Sequence, residues 1–224
     1  KLVAGSSSFS TGGRLSVIAG VGGKSTSGAL VLQTSDAGTA GVSGTAILST
    51  GFASTGNSGS LYIGSGEAST GRSGSVYVTA GTGDSGDGGE IAITAGTSAS
   101  DTGGRVSIVT GFSSTSTSGA LLLRTHDSGS AGVSGIAILS TGFASTGNSG
   151  SLYIGSGEAS TGRSGSVYVT AGTGDSGDGG EIAITAGTSA SDTGGRVSIV
   201  TGFGDGTTSG ALLLRTHDSG TAGV

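Results

Sequence analysis

A glycine opens each of fourteen short apolar runs along this 224-residue chain, and the even spacing of these glycines dictates the kind of fold. Successive opening glycines lie 15 residues apart, except for two steps of 16 that end at Gly44 and Gly135. A fixed short period is typical of repeat proteins, in which each unit packs only against its neighbours. The opening glycines are Gly13, Gly28, Gly44, Gly59, Gly74, Gly89, Gly104, Gly119, Gly135, Gly150, Gly165, Gly180, Gly195 and Gly210.

A longer period of 91 residues contains six of these units plus one extra residue. Residues 43–133 and 134–224 are two such modules, and they differ at only six positions. Residues 1–42 align with residues 92–133 as a partial, diverged module. We therefore predict one continuous solenoid rather than separate globular domains.

Within each unit, the apolar residues alternate with other residues after the opening glycine. Alternation with period two is typical of a strand with one buried face, whereas the glycine density and the period both argue against a helix. The sequence therefore predicts an all-β protein whose strands stack as a solenoid. The predicted inward pairs are Leu61/Ile63, Val76/Val78, Ile91/Ile93, Val106/Ile108 and Leu121/Leu123.

The number of units in one coil of this predicted β-solenoid is open. We favour a coil of one 15-residue unit. The small polar residues that follow each apolar run keep their number in nearly every unit, whereas free surface loops would vary in length. In such a coil Glu90 would face Arg105, and Arg72 would face Asp87, as opposite charges in adjacent units. The alternative is a triangular solenoid with three units, about 45 residues, per coil. An antiparallel meander of cross-β type is a third arrangement.

Composition narrows the class of partner. With 51 glycines and no Pro, Cys, Met or Trp, the chain is fibrous or repetitive, and disorder is the alternative to a regular fold. The net charge of −5 and the lack of a basic cluster argue against a nucleic-acid partner. No apolar stretch approaches the length of a membrane span.

Two motifs suggest chemistry but lack its context. Residues 81–86 match the dinucleotide fingerprint G-x-G-x-x-G, yet no predicted helix follows to hold a pyrophosphate. His126 and Asp127 lie among serines, but a thin repeat offers no pocket in which a catalytic triad could be built. We therefore predict no catalytic residue, no cofactor-binding residue and no enzyme activity.

An acidic loop that occurs once per module is the candidate calcium site. Three carboxylates within seven residues, separated by glycines, could donate oxygen ligands to Ca²⁺. Because the loop occurs in only one unit of six, we predict that folding does not depend on it. The candidate ligands are Asp84, Asp87 and Glu90 in one module and Asp175, Asp178 and Glu181 in the next.

The position three residues after the opening glycine is often apolar or aromatic, although it should face outward. A repetitive apolar ladder on an outer face is typical of a surface that contacts a partner. We predict lateral contact with other copies of the chain, with a polysaccharide or other surface component as a further candidate partner. The contact residues are Tyr62, Tyr77, Leu122, Ile138, Tyr153, Tyr168 and Leu213.

These Gly/Ser/Thr-punctuated Val/Ile/Leu runs resemble the β-solenoid repeat proteins of algal and protist surface or extracellular fibres, and more distantly the ice-nucleation and antifreeze solenoids. The resemblance covers the whole chain in repeat style, without a diagnostic motif. It implies a structural protein that forms an extracellular filament or surface fibre by solenoid stacking and lateral bundling. The alternative function is a binding solenoid for ice, polysaccharide or calcium-dependent adhesion.

Overall fold

The computed structural model describes residues 1–217 and residue 220. Within this part of the chain there is no helix and no strand, only segments without regular secondary structure that are joined by bends and one turn. The prediction of an all-β solenoid is therefore wrong, both for the 15-residue coil and for the triangular alternative, and the described residues contain no cross-β meander either. Asp218, Ser219 and residues 221–224, all in the module 134–224, lie outside the described residues.

A strand requires a ladder of backbone hydrogen bonds to a neighbouring strand, and the described runs make no such ladder. What recurs instead is a single bond at eight of the fourteen opening glycines, in which the amide of the opening glycine donates to a glycine carbonyl eight residues earlier. One bond closes a loop but does not extend along the runs. These bonds join Gly13 to Gly5, Gly28 to Gly20, Gly89 to Gly81, Gly104 to Gly96, Gly119 to Gly111, Gly180 to Gly172, Gly195 to Gly187 and Gly210 to Gly202, at 2.7–3.0 Å.

Contacts divide the chain into two units, Lys1–Val109 and Thr110–Val224. In the first unit, bends lie at residues 8–10, 23–25, 54–56, 69–71, 84–86 and 99–101, and a turn lies at residues 39–40. In the second unit, bends lie at residues 114–116, 130–132, 145–147, 160–162, 175–177, 190–192 and 205–207. The bends thus repeat with the period of the opening glycines, so the sequence repeat is also a backbone repeat.

Each opening glycine lies against the small residue that ends the preceding apolar run. A Cβ atom built on Gly74 would lie 2.9 Å from the Cβ of Ser65, and one built on Gly89 would lie 3.0 Å from the Cβ of Ala80. At all fourteen opening glycines, the small residue at the equivalent position of the preceding run lies within 3.7 Å of the ideal Cβ position. Close approach across the loop therefore explains both the glycine and the small residue.

Side-chain hydroxyls close other loops. The Ser65 hydroxyl donates to the Gly74 carbonyl at 2.8 Å, and the Ser156 hydroxyl donates to the Gly165 carbonyl at 2.9 Å. In the first of the two 16-residue steps, Thr34 Oγ1 donates to the Gly44 carbonyl at 3.1 Å. Gly44 meets Thr34 ten residues back, whereas Gly74 meets Ser65 nine residues back, so the extra residue lengthens the loop and leaves the run unchanged.

The bends themselves are stabilised in more than one way. At residues 99–101 and 114–116, a serine hydroxyl just before the bend accepts from the backbone amide three residues later, at 2.9 Å in both cases, as in an ST-turn. At Gly83, a Cβ atom would lie 2.9 Å from the carbonyl oxygens of Asp87 and Gly86, so no larger residue fits without a backbone shift. Gly56 has a backbone φ of +120°, a conformation that residues with a side chain rarely adopt.

Two loops at equivalent positions of the two modules show that closure tolerates different sequences. Loop 112–118 uses the Ser113 hydroxyl, whereas loop 203–209 has Gly204 at the equivalent position and Gly206 at φ +82. Nevertheless, both loops end in the same glycine–glycine bond, at 2.9 Å in each case. The closure is therefore the retained feature, and the bend sequence is free to vary around it.

Candidate self-association surface

The apolar runs are exposed along the described chain. No described residue is buried, and in the unit that begins at Gly59 the exposed fraction is 50% for Leu61, 91% for Tyr62 and 71% for Ile63. The prediction of buried inward pairs is therefore wrong. Of the predicted alternation, only a difference in exposure remains: Leu61, two positions after the opening glycine, is about half covered, whereas Tyr62 and Ile63 are more exposed.

The least exposed described residues are small ones at the loop closures, not the apolar ones in the runs. These partly covered residues fall into two positions, the last residue of a run and the residue just before a bend. The run-end group is Ala4, Ala19, Ala80, Ala95, Thr110 and Ala186, and the bend group is Gly22, Ala53, Ser113, Ala144 and Gly204. Tight packing is therefore local to each loop, and the larger apolar side chains are left to solvent.

The predicted lateral-contact residues lie on this exposed surface. Tyr62 and Tyr153 are each 91% exposed, and Leu213, the least exposed of the set, is 76% exposed. Tyr77, Leu122, Ile138 and Tyr168 fall between these values. Their role in contact with another copy stays a prediction.

The total accessible surface places the chain between a folded and an unfolded protein. It amounts to 22251 Å² for 20.7 kDa. A compact monomer of this mass exposes about 8,900 Å², and a fully unfolded chain about 30,000 Å². The loops therefore order the backbone locally while leaving about 13,000 Å² more surface than a compact fold would leave.

The candidate calcium ligands lie in exposed loop segments. Asp84, Asp87 and Glu90 are all exposed, as are Asp175, Asp178 and Glu181 in the second module. Within residues 1–217 and residue 220, no three acidic or histidine side chains come together in a way that could hold a metal ion. Calcium binding stays a prediction, and it would require these loops to rearrange around the ion.

The two motifs that suggested chemistry occupy loop positions. In the G-x-G-x-x-G stretch, Gly81 accepts the closure bond from Gly89 and Gly83 allows the close approach of two carbonyls, so its glycines have a local structural use. His126 Nδ1 lies 3.4 Å from the backbone carbonyl oxygen of Asp127, at the long limit for a hydrogen bond. In the described part of the chain we find no pocket around either motif.

Sequence reasoning missed the pairing of each opening glycine with the small residue before the loop. The signal was present, since the small residue precedes the next opening glycine by nine residues in most units. Alternation alone makes the small residue one more position on a strand face, and it gives the opening glycine no partner. Their constant separation indicates instead that they are partners.

Comparison with known proteins adds no relative. No protein-family model, no curated protein and no solved structure matches the chain. Among the described residues, none forms a helix that is long and apolar enough to cross a membrane.

Proposed function

We propose that this chain is a structural repeat protein that associates laterally with further copies of itself into an extracellular filament or surface fibre. The observation that carries the proposal is the periodic exposure of apolar residues on a chain whose accessible surface is 22251 Å². Stacking of a solenoid, which we expected to extend the fibre, has no part in it. The extracellular location rests on the resemblance of the repeat to extracellular fibre proteins.

The area available for association is large. A stable interface between two proteins typically buries about 1,600 Å² in total, which is a small part of the roughly 13,000 Å² by which this chain exceeds a compact monomer. Burial of apolar surface is favourable by roughly 25 cal/mol per Å². A monomer that exposes Tyr62, Leu122 and Ile138 at three-quarters or more of their area therefore gains by covering them with a similar surface.

Repetition makes another copy the best-matched partner. The apolar runs recur at the same spacing in every copy, so a contact made by one run can be made by the next as well. Many weak, equivalent contacts add up along two parallel chains, as in other multivalent assemblies. A unique active site would need only one unit, whereas a lateral contact uses all of them.

Sedimentation velocity and electron microscopy of the 224-residue chain test the proposal. We expect large or fibrous particles that grow with concentration. A variant with Tyr62, Tyr77, Tyr153 and Tyr168 all changed to Lys should shift towards the monomer. Its matched control places four lysines in the exposed loops of the same units, as S69K, T82K, S160K and T173K. Equal association by both variants, or a wild-type chain that stays monomeric at all concentrations, would contradict lateral contact through the runs.

A further inference from the structure

We propose that two copies lie parallel in this assembly and are shifted by one repeat unit relative to each other. The inference rests on the proposed self-association and specifies its alignment. It is carried by three observations: the unpartnered area described above, a backbone repeat that matches the sequence repeat, and the positions of the charged residues along that repeat.

The backbone repeat limits the alignments that match runs with runs. Bends recur with the opening glycines, and closure bonds form at eight of them, so parallel copies match when they are shifted by a whole number of units. The 16-residue units do not break this match, because their extra residue lies in the loop between Thr125 and Gly135, and likewise between Thr34 and Gly44. Charge then distinguishes among the shifts.

A shift of one unit places opposite charges beside each other. Arg72 of one copy then lies opposite Asp87 of the next, and Glu90 lies opposite Arg105. The second module repeats both pairs, with Arg163 opposite Asp178 and Glu181 opposite Arg196. All eight of these residues are exposed on the described surface, and no residue is set opposite a like charge by this shift.

Other alignments are less favourable. Copies in register set every charge opposite itself, and a shift of two units sets Asp36 opposite Glu67. An antiparallel alignment can pair Glu67 with Arg72 of the other copy, but it also sets Arg14 opposite Arg124. Like charges at short distance disfavour an interface, and they affect the choice of alignment more than the total affinity.

Thiol crosslinking tests the alignment, because the natural chain contains no cysteine. Ser60 and Ser75 occupy the same position in neighbouring units, and both are exposed. In assembled samples under mild oxidation, a mixture of S60C and S75C should give about tenfold more disulfide-linked dimer than S60C alone. Strong crosslinking of S60C with itself indicates copies in register, and preferential crosslinking of S60C with T79C indicates antiparallel copies; either result overturns the inference.

Charge reversal tests the same alignment independently. E90R combined with E181R sets arginines opposite Arg105 and Arg196, and it should weaken association roughly fivefold. Adding R105E and R196E restores opposite pairs and should restore association. The control D84R with D175R makes the same change in charge, but these positions lie opposite Ala99 and Ala190 in the shifted alignment and should have little effect.

The outcomes separate the two proposals. If the natural chain does not associate at all, both the proposed function and the shift fail. If it associates but the crosslinks or the charge variants follow another alignment, only the shift fails.

Discussion

Replacing an opening glycine by alanine should open its loop, whereas the same change one residue earlier should not. We choose Gly89→Ala together with Gly180→Ala, which are equivalent in the two modules, so that both copies of the loop change alike. The control is Gly88→Ala together with Gly179→Ala. A Cβ atom at Gly89 or at Gly180 would lie 3.0 Å from the Cβ of the facing alanine, whereas nothing lies within 4 Å of one at either control position.

The magnitude follows from these distances. Carbon atoms pack best at about 3.5–4.0 Å, so the new methyl group must move away from Ala80 by about half an ångström or more. That movement pulls on the closure bond from the Gly89 amide to the Gly81 carbonyl, which is 3.0 Å long. Losing a bond of this kind costs about 0.5–1.5 kcal/mol, less in an exposed loop, which corresponds to a roughly fivefold shift towards the open loop.

Nuclear magnetic resonance provides the assay under dilute conditions that keep the chain dispersed. In the natural chain we expect a nuclear Overhauser effect between the Ala80 methyl protons and the Gly89 Hα protons, and a small temperature coefficient for the Gly89 amide. In the Gly89→Ala variant the nuclear Overhauser effect should become much weaker and the temperature coefficient of the residue-89 amide should become larger. The Gly88→Ala control should keep the natural values of both. If the two variants behave alike, the close approach of the opening glycine does not hold the loop.

Two further predictions concern other loops. Ser65→Ala with Ser156→Ala removes the hydroxyls that donate to the carbonyls of Gly74 and Gly165, and it should destabilise those closed loops by about 0.5–1 kcal/mol. Amide exchange should become faster in those loops but not at Gly119, whose loop is closed by a backbone bond. Unchanged exchange would mean that the hydroxyls contribute nothing. Chelation of calcium should leave the circular dichroism spectrum unchanged, since the acidic loop at Asp84, Asp87 and Glu90 occurs in one unit of six, and a spectral change would show that calcium organises the chain.

The repeat could be predicted from the sequence, whereas the predicted strands are absent from residues 1–217 and residue 220. The opening glycines, the fixed loop length and the position of the extra residue near Gly44 all follow from spacing, and the backbone repeats with them. Alternation gave the order of exposure only in part: Tyr62 is more exposed than Leu61, but Leu32, which alternation places inside, is 84% exposed against 70% for Val31. Alternation shows which residues share a face, however, and it does not supply the neighbouring backbone that a strand needs.

The predicted surface residues illustrate the same limit. Tyr77 and Tyr168 were placed outside by their position after the opening glycine, and both are exposed. Val76 and Val78 were assigned to a core by the same pattern, yet they are exposed by 53% and 72%. A core requires a second layer, and the described chain provides only closed loops and open runs.

Quenching of tyrosine fluorescence by acrylamide is the most direct test of lateral association through the runs. The chain has no tryptophan, and its four tyrosines all lie three residues after an opening glycine, so the emission reports on this surface alone. All four are at least 84% exposed in the described chain. We predict strong quenching in dilute solution and a severalfold smaller quenching constant in assembled material, since stacked or packed tyrosine rings exclude the quencher. Assembled material in which the tyrosines remain as accessible as in dilute solution would contradict the account.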